Sequence, residues 1–300
     1  MSEHREHYNS LVKKSLKLCL DHSNLVSYQD IKLQLKPFDL IAFRGGDLIS
    51  NMISTLEKYK VGVGIFSHVG IVVTSDILPK YISNDKVYHL DPNRRYILES
   101  TFSYNVKGFT DGPPDIIKGT GKFGVQLRDL EYVIPTYITS KKTKIAWCPL
   151  INNPFNPLKD EPVDELSKRR NDLMETFTNF FNSYHDRFYE ADIKSLLAAM
   201  FPSLRTVRNV HDKVYSKLFN ILHEYNISEN SCGPAGWQFC SELIANLYQT
   251  IGVLPLSFDP RDVLPVDFFG YDLDGIPPLV SNPIYIKDWD LANNPAVKYN

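Results

Sequence analysis

Cys240 lies in the run Gln238-Phe239-Cys240-Ser241-Glu242-Leu243-Ile244-Ala245, and Leu243, Ile244, Leu247, Tyr248 and Ile251 recur at helical spacing before Gly252 stops the pattern. Upstream, Cys232-Gly233-Pro234-Ala235-Gly236 has loop composition, so Cys240 is expected where loop becomes helix. The first turn of a helix carries N–H groups without intrahelical acceptors and the positive end of the helix dipole, and both favour a thiolate over a thiol. The same N–H groups suit an oxyanion formed when sulfur attacks a carbonyl. The competing reading of Cys240 is a small buried apolar residue, the commonest fate of a free cysteine.

A thiol nucleophile needs a base and a group that orients the base. Ser67-His68-Val69-Gly70-Ile71-Val72-Val73 is a β-rich run with a histidine near its start, and Tyr96-Ile97-Leu98-Glu99-Ser100-Thr101 is a second with an acid inside it. Side chains alternate along a strand, so His68, Gly70 and Val72 share one face, as do Ile97, Glu99 and Thr101. If the two strands are antiparallel neighbours, His68 and Glu99 can meet on a common face. The alternatives are a hydrogen-bonded structural histidine and a glutamate that caps an element or pairs with a lysine.

Four blocks occur in order: Phe38-Asp39-Leu40-Ile41-Ala42-Phe43-Arg44-Gly45-Gly46-Asp47, then Ser67-His68-Val69-Gly70-Ile71-Val72, then Leu98-Glu99-Ser100, then Phe239-Cys240-Ser241-Glu242-Leu243. This arrangement resembles the circularly permuted branch of the NlpC-like papain-fold hydrolases, especially the YiiX-like bacterial proteins and their poxviral relatives, with lecithin:retinol acyltransferase as a distant cousin. In that branch the histidine strand precedes the nucleophile helix. The resemblance implies an α+β fold with an antiparallel sheet packed against the nucleophile helix, Cys240 as nucleophile, His68 as general base and Glu99 as the orienting residue. It further implies a thiol hydrolase or peptidase acting on an amide bond through an acyl thioester. A lipid ester or amide hydrolase or acyltransferase, and a catalytically silent peptide- or lipid-binding module, are the alternatives. The long segment between Glu99 and Cys240 departs from the family pattern and leaves substrate choice open.

The composition fits a globular chain, with 43% apolar and 23% charged residues. Three hundred residues can bury a full core, and one domain spanning 1–300 is expected. A net charge of −2 lacks the footprint of a nucleic-acid binder. Met1-Ser2-Glu3-His4-Arg5-Glu6-His7 has no apolar core of a signal peptide, and no apolar run reaches the roughly 20 residues that span a bilayer. The expectation is a soluble, cytoplasmic protein, or one of the virion or host cytoplasm if the chain is viral, whose partner is a peptide or lipid-like substrate in a cleft. Cys19, Cys148, Cys232 and Cys240 are too few and scattered for a disulfide framework, and without Cys-x-x-Cys no zinc site is expected. No cofactor is called for.

The elements expected to position these residues run as follows. Residues 8–22 have a leading helical pattern; 39–43 form a buried strand broken by Gly45-Gly46; Asp47 can cap a helix to about Tyr59. Val61-Gly62-Val63-Gly64 leads into the histidine strand, and neither glycine pair has P-loop or dinucleotide spacing. Residues 103–121 form a loop, with strands near 122–127 and 144–148. A helical insertion occupies 150–230, with helices over about 163–189, where Phe177, Phe180, Phe181 and Tyr184 make a core stripe, and near 205–224. Residues 253–300 form an extended Pro-rich tail. Arg44, just past the first strand, and Tyr104, just past Glu99, are candidates for contact with substrate, Arg44 with an anionic group.

Overall fold

The computed structural model describes residues 25–44, 66–83, 86–101, 113–119, 124–137, 144–185, 239–269 and 278–287. Within them lie nine strands, β1 (Val26–Ser27), β2 (Leu40–Arg44), β3 (His68–Val73), β4 (Lys80–Ser83), β5 (Lys86–His89), β6 (Tyr96–Thr101), β7 (Gly124–Asp129), β8 (Lys144–Cys148) and β9 (Ile284–Lys287). The helices are α1 (Tyr28–Ile31), α2 (Leu130–Tyr137), α3 (Val163–Tyr184) and α4 (Cys240–Thr250). Seven strands form one sheet in the order β1-β9-β8-β2-β3-β6-β7, and β4 and β5 pair separately. Every neighbouring pair is antiparallel except β1 with β9. The protein is thus mixed α and β, with a mostly antiparallel sheet. Among the described residues, no helix is long and apolar enough to cross a membrane.

The central strands are apolar on both faces because both faces are covered. Leu40, Ala42, Val69, Ile71, Val73 and Leu98 pack with Phe177 and Phe181 of α3 and with Leu243, Ile244 and Leu247 of α4. The alternating residues Ile41, Phe43, Val72, Ile97, Ile145 and Trp147 pack with Tyr28 and Ile31 of α1 and with Leu130, Val133 and Ile134 of α2. Each strand residue therefore has a definite side, and a slip of one position would exchange the two cores.

Asp39, at the entry to β2, is buried and gathers the chain around it. Its carboxylate accepts from Trp147 Nε1 at 2.9 Å, Leu150 N at 3.0 Å, Asn153 Nδ2 at 3.3 Å and Lys36 N at 3.0 Å. This ties the start of β2 to the exit of β8. Tyr248 of α4 donates its hydroxyl to the Phe38 carbonyl at 2.9 Å, so the same corner anchors α4. Glu242 accepts from the Phe239 N–H at 3.3 Å at the helix start. Gly252 ends the helix with φ of 74°, a left-handed value that suits glycine, while Val253 and Leu254 both donate to the Tyr248 carbonyl.

Sequence expectations for β2, β3, β6, β8 and α4 match to within a residue, and that for β7 lies two residues early. The segment expected as an extended tail also supplies β9 and the Leu150–Val280 bridge to the main body. The helical patterns at 8–22, 47–59 and 205–224, the glycine pairs at 45–46 and 61–64, and the loop at 232–236 lie outside the described residues. Of the expected helical insertion, α3 falls within them.

Gly70 is where β3 admits β6. A Cβ built there would lie 2.6 Å from Cδ1 and Cγ1 of Ile97 and 3.0 Å from Cβ of Glu99. Gly70→Ala is expected to lower stability by about 1–3 kcal/mol through overpacking. In urea unfolding, Ile97→Ala should recover part of that loss in the double variant, so that the two effects do not add. Simple additivity would contradict the contact.

Candidate active site

The β3–β6 register pairs Ile71 with Leu98 and Val72 with Ile97, which brings His68 and Glu99 to one side of adjacent strands. His68 Nε2 lies 2.5 Å from Glu99 Oε2. The carboxylate is fully buried, and its second oxygen is occupied as well: Arg128 donates to Oε1 from Nε at 2.7 Å and also from Nη2. Arg128 comes from β7, where it pairs with Ile97 while Gln126 pairs with Glu99. It therefore reaches Glu99 diagonally on a shared face.

Tyr137, the last residue of α2, closes the arrangement. It lies close enough to Arg128 to favour the charged guanidinium, and its ring lies parallel to the imidazole of His68, with centroids 6.5 Å apart and 2° between planes. Phe43, the cross-strand partner of His68, stands 5.3 Å from the imidazole and 4.5 Å from the Tyr137 ring. Two aromatic walls and a carboxylate thus fix the plane of the His68 imidazole.

Cys240 enters from the other side of the sheet. Its helix packs with Val69 and Ile71, which alternate with His68 and Gly70. His68 is the first residue of β3, so the thiol approaches it around the strand end, close enough to favour the protonated imidazole. With Nε2 committed to Glu99, Nδ1 is the nitrogen left for sulfur. Cys240 is almost wholly buried, and the His68 side chain is 12% exposed.

Burial alone would lower the pKa of His68. Interactions with Tyr137 and Cys240 and the contact with the Glu99 carboxylate outweigh it, and the imidazole is held well above its ordinary value. Burial pushes Glu99 the other way, but the charges of Arg128 and His68 win and its carboxyl lies below the usual range. A proton passed from Cys240 to His68 leaves the buried set neutral, since carboxylate and guanidinium already balance. That is the state in which sulfur is a nucleophile and imidazolium can protonate a leaving group.

All three sequence candidates, Cys240, His68 and Glu99, therefore converge. Arg44 ends β2, half-buried opposite Lys144; Tyr104 lies outside the described residues. Cys148 is buried opposite Leu40 and takes no part. Sequence reasoning missed Arg128, Tyr137 and Phe43. The signal for Arg128 is a charge within the strand, past the apolar Val125 and Leu127 and just before its end at Asp129. A second buried pair, His185 with Asp115 at 2.8 Å, has a different setting. Asp115 also accepts from the N–H groups of Ile117, Lys118 and Leu127, stapling residues 113–119 and the end of α3 to β7. Among the described residues, no group of three or more His, Cys, Asp or Glu side chains is placed to hold a metal ion.

No protein-family model matches the chain, and no curated protein matches it.

Arg128→Met leaves a fully buried carboxylate without its guanidinium and is expected to cost about 3–5 kcal/mol in chemical unfolding. A loss under ~1 kcal/mol would show that the pair carries little. For His68, a folded pKa above the unfolded value of about 6.5 makes its contribution complete below that pH. The contribution is lost as pH rises toward the folded value. The stability difference between wild type and His68→Gln should therefore be constant from pH 5 to about 6.5 and shrink above it; a constant difference to pH 9 would contradict the raised imidazole.

Proposed function

We propose that this protein is a cysteine hydrolase of circularly permuted papain-like (NlpC-like) build, cleaving an amide bond in a peptide-like substrate through an acyl thioester. The observation that carries the reading is the His68–Glu99 contact at 2.5 Å, with Arg128 on the far carboxylate oxygen and Cys240 close enough to raise the pKa of the imidazole. The chain order, with the histidine strand ahead of the cysteine helix and that helix packed on an antiparallel sheet, supports the permuted papain-like assignment.

In the reaction, His68 holds the proton of Cys240 and the thiolate attacks the carbonyl carbon. The first-turn N–H groups of α4 receive the negative charge that develops on oxygen. As the tetrahedral adduct collapses, the C–N bond breaks and His68 gives its proton to the departing amine. A water then adds to the thioester, delivering one proton to His68. Cleavage of the C–S bond releases the acid and restores the thiolate–imidazolium pair. Glu99 keeps the imidazole in one tautomer and orientation throughout.

The direct test is the rate of Cys240 alkylation by iodoacetamide at neutral pH in wild type and His68→Ala, read by peptide mass spectrometry, with Cys148 as internal control. Loss of the imidazole should slow Cys240 by on the order of tenfold and leave Cys148 unchanged. Equal Cys240 rates in the two proteins would remove the basis for a thiolate nucleophile. On any amide the protein turns over, Cys240→Ala and His68→Ala should reduce kcat/KM to background. Glu99→Gln should reduce it less, because an amide oxygen still accepts from the imidazole; full activity in Cys240→Ala would overturn the mechanism.

A further inference from the structure

β4 and β5 form a hairpin apart from the main sheet, and among the described residues neither strand has a second neighbour. The hairpin follows the Val73 end of β3, whereas His68 stands at the other end, about 17 Å away along the strand. Its pairs are Lys80–His89, Tyr81–Tyr88, Ile82–Val87 and Ser83–Lys86. Just beyond them, the Leu90 N–H donates to the Pro79 carbonyl at 3.3 Å. Hydrogen-bonded and non-hydrogen-bonded pairs alternate along an antiparallel ladder. Tyr88 and Lys86 therefore turn their backbone groups toward β4, and Val87 and His89 turn theirs outward. The outer edge of β5 is thus a row of N–H and C=O groups open to a further strand.

The side chains of the hairpin divide by alternation. Tyr81 stacks on Tyr88 with centroids 5.2 Å apart and 9° between planes, and the Tyr81 hydroxyl donates to the Ile116 carbonyl at 3.2 Å. That face is tied to the body. The other face carries Ile82 and Val87 directly opposed, 71% and 55% exposed. Every residue of β5 is exposed. Its centre is Val87-Tyr88, with no proline or charge to turn a strand away. The described residues of the hairpin, 80–83 and 86–89, hold two lysines and no acid; the linking Asn84-Asp85 lies outside them. A bilayer is a poor cover for such an edge, because hydrocarbon would leave the outward N–H and C=O groups unbonded. A strand satisfies them.

We propose that the outer edge of β5 binds an extended peptide segment of a partner protein in which aliphatic and acidic residues alternate. The backbone of the segment completes the ladder with Val87 and His89. Its aliphatic side chains extend the Ile82–Val87 face, and its carboxylates fall on the face of Lys86, beside opposite charge. The site lies apart from Cys240 and does not depend on the hydrolase reading.

The test uses the full chain and two fluorescein-labelled hexapeptides, one of alternating Glu and Val and one of alternating Lys and Val, in fluorescence anisotropy. The wild type should prefer the Glu–Val peptide, and hydrogen exchange should show that peptide protecting the Val87 and His89 amides. Val87→Pro removes one outward N–H and leaves every bond to β4 in place. It should weaken the Glu–Val peptide about tenfold. Lys86→Glu should shift the preference to the Lys–Val peptide. Equal affinity of wild type and Val87→Pro for the Glu–Val peptide, or a preference unchanged in Lys86→Glu, would overturn the proposal. So would a wild type that binds neither peptide. In that case a dimer seen in analytical ultracentrifugation and lost in Val87→Pro would make a second copy the occupant. Binding to phosphatidylserine vesicles that is lost in Ile82→Asn would make it a lipid surface.

Discussion

The carboxylate of Glu99 is the group on which this structure turns. It is fully buried in the middle of a central strand, a placement that would cost several kcal/mol for an unpaired ion. The chain offsets the cost with two cationic partners on separate oxygens, Arg128 on Oε1 and His68 on Oε2. Much of the local architecture follows from serving those bonds. β6 must lie between β3 and β7, because one partner comes from each. Gly70 must lack a side chain, because Ile97 and the stem of Glu99 occupy the space beside it. α2 must begin directly after β7, because only then does Tyr137 return to Arg128 and the histidine ring.

A network of this kind stores little stability, since the desolvation cost of its members offsets most of their attraction. In the proposed hydrolase its value is chemical. Arg128 favours the ionised form of Glu99 alongside His68, so the orienting charge does not rest on the imidazole alone. The thiol and imidazole can then exchange a proton without creating net charge in a buried space. The stability that holds this machinery in place comes from the two apolar layers on either face of the sheet and from the Asp39 corner. There, β2, β8 and the loop after β8 are joined by Asp39, and the Tyr248 hydroxyl binds the neighbouring Phe38 carbonyl.

The parts of this arrangement written locally were open to reading from sequence. Apolar runs with β-branched residues mark β2, β3 and β6. The 3.6-residue repeat after Cys240 marks α4, and strand alternation places His68 and Glu99 on matching faces once the strands are paired. What escaped reading depended on pairing across the sheet. Arg128 sits beyond the point at which the β7 pattern lost its apolar character, and only its register with Ile97 reveals that it points at Glu99. Tyr137 lies in a short helix containing Pro135, a residue that argues against helix in isolation and is tolerated where Leu130, Val133 and Ile134 bury a face. β9 was obscured by prolines on both sides and gains its strand conformation from β8.

The contrast between the two buried His–acid pairs shows why residue type alone does not make a site. His185 meets Asp115 as closely as many catalytic dyads, yet Asp115 spends its oxygens on backbone N–H groups of its own loop and of β7. Those bonds constrain the chain, and the histidine adds the end of α3 to the staple. Glu99 instead takes side-chain partners on both oxygens, so its charge acts on groups that can change protonation. His68, held on one nitrogen, also stands at a strand end where the first residue of a helix can reach the other. A carboxylate bound to backbone organises the fold; one bound to a guanidinium and an imidazole organises a proton. In the proposed hydrolase that difference, rather than burial or distance, is what separates the setting of Cys240 and His68 from the stapling of α3.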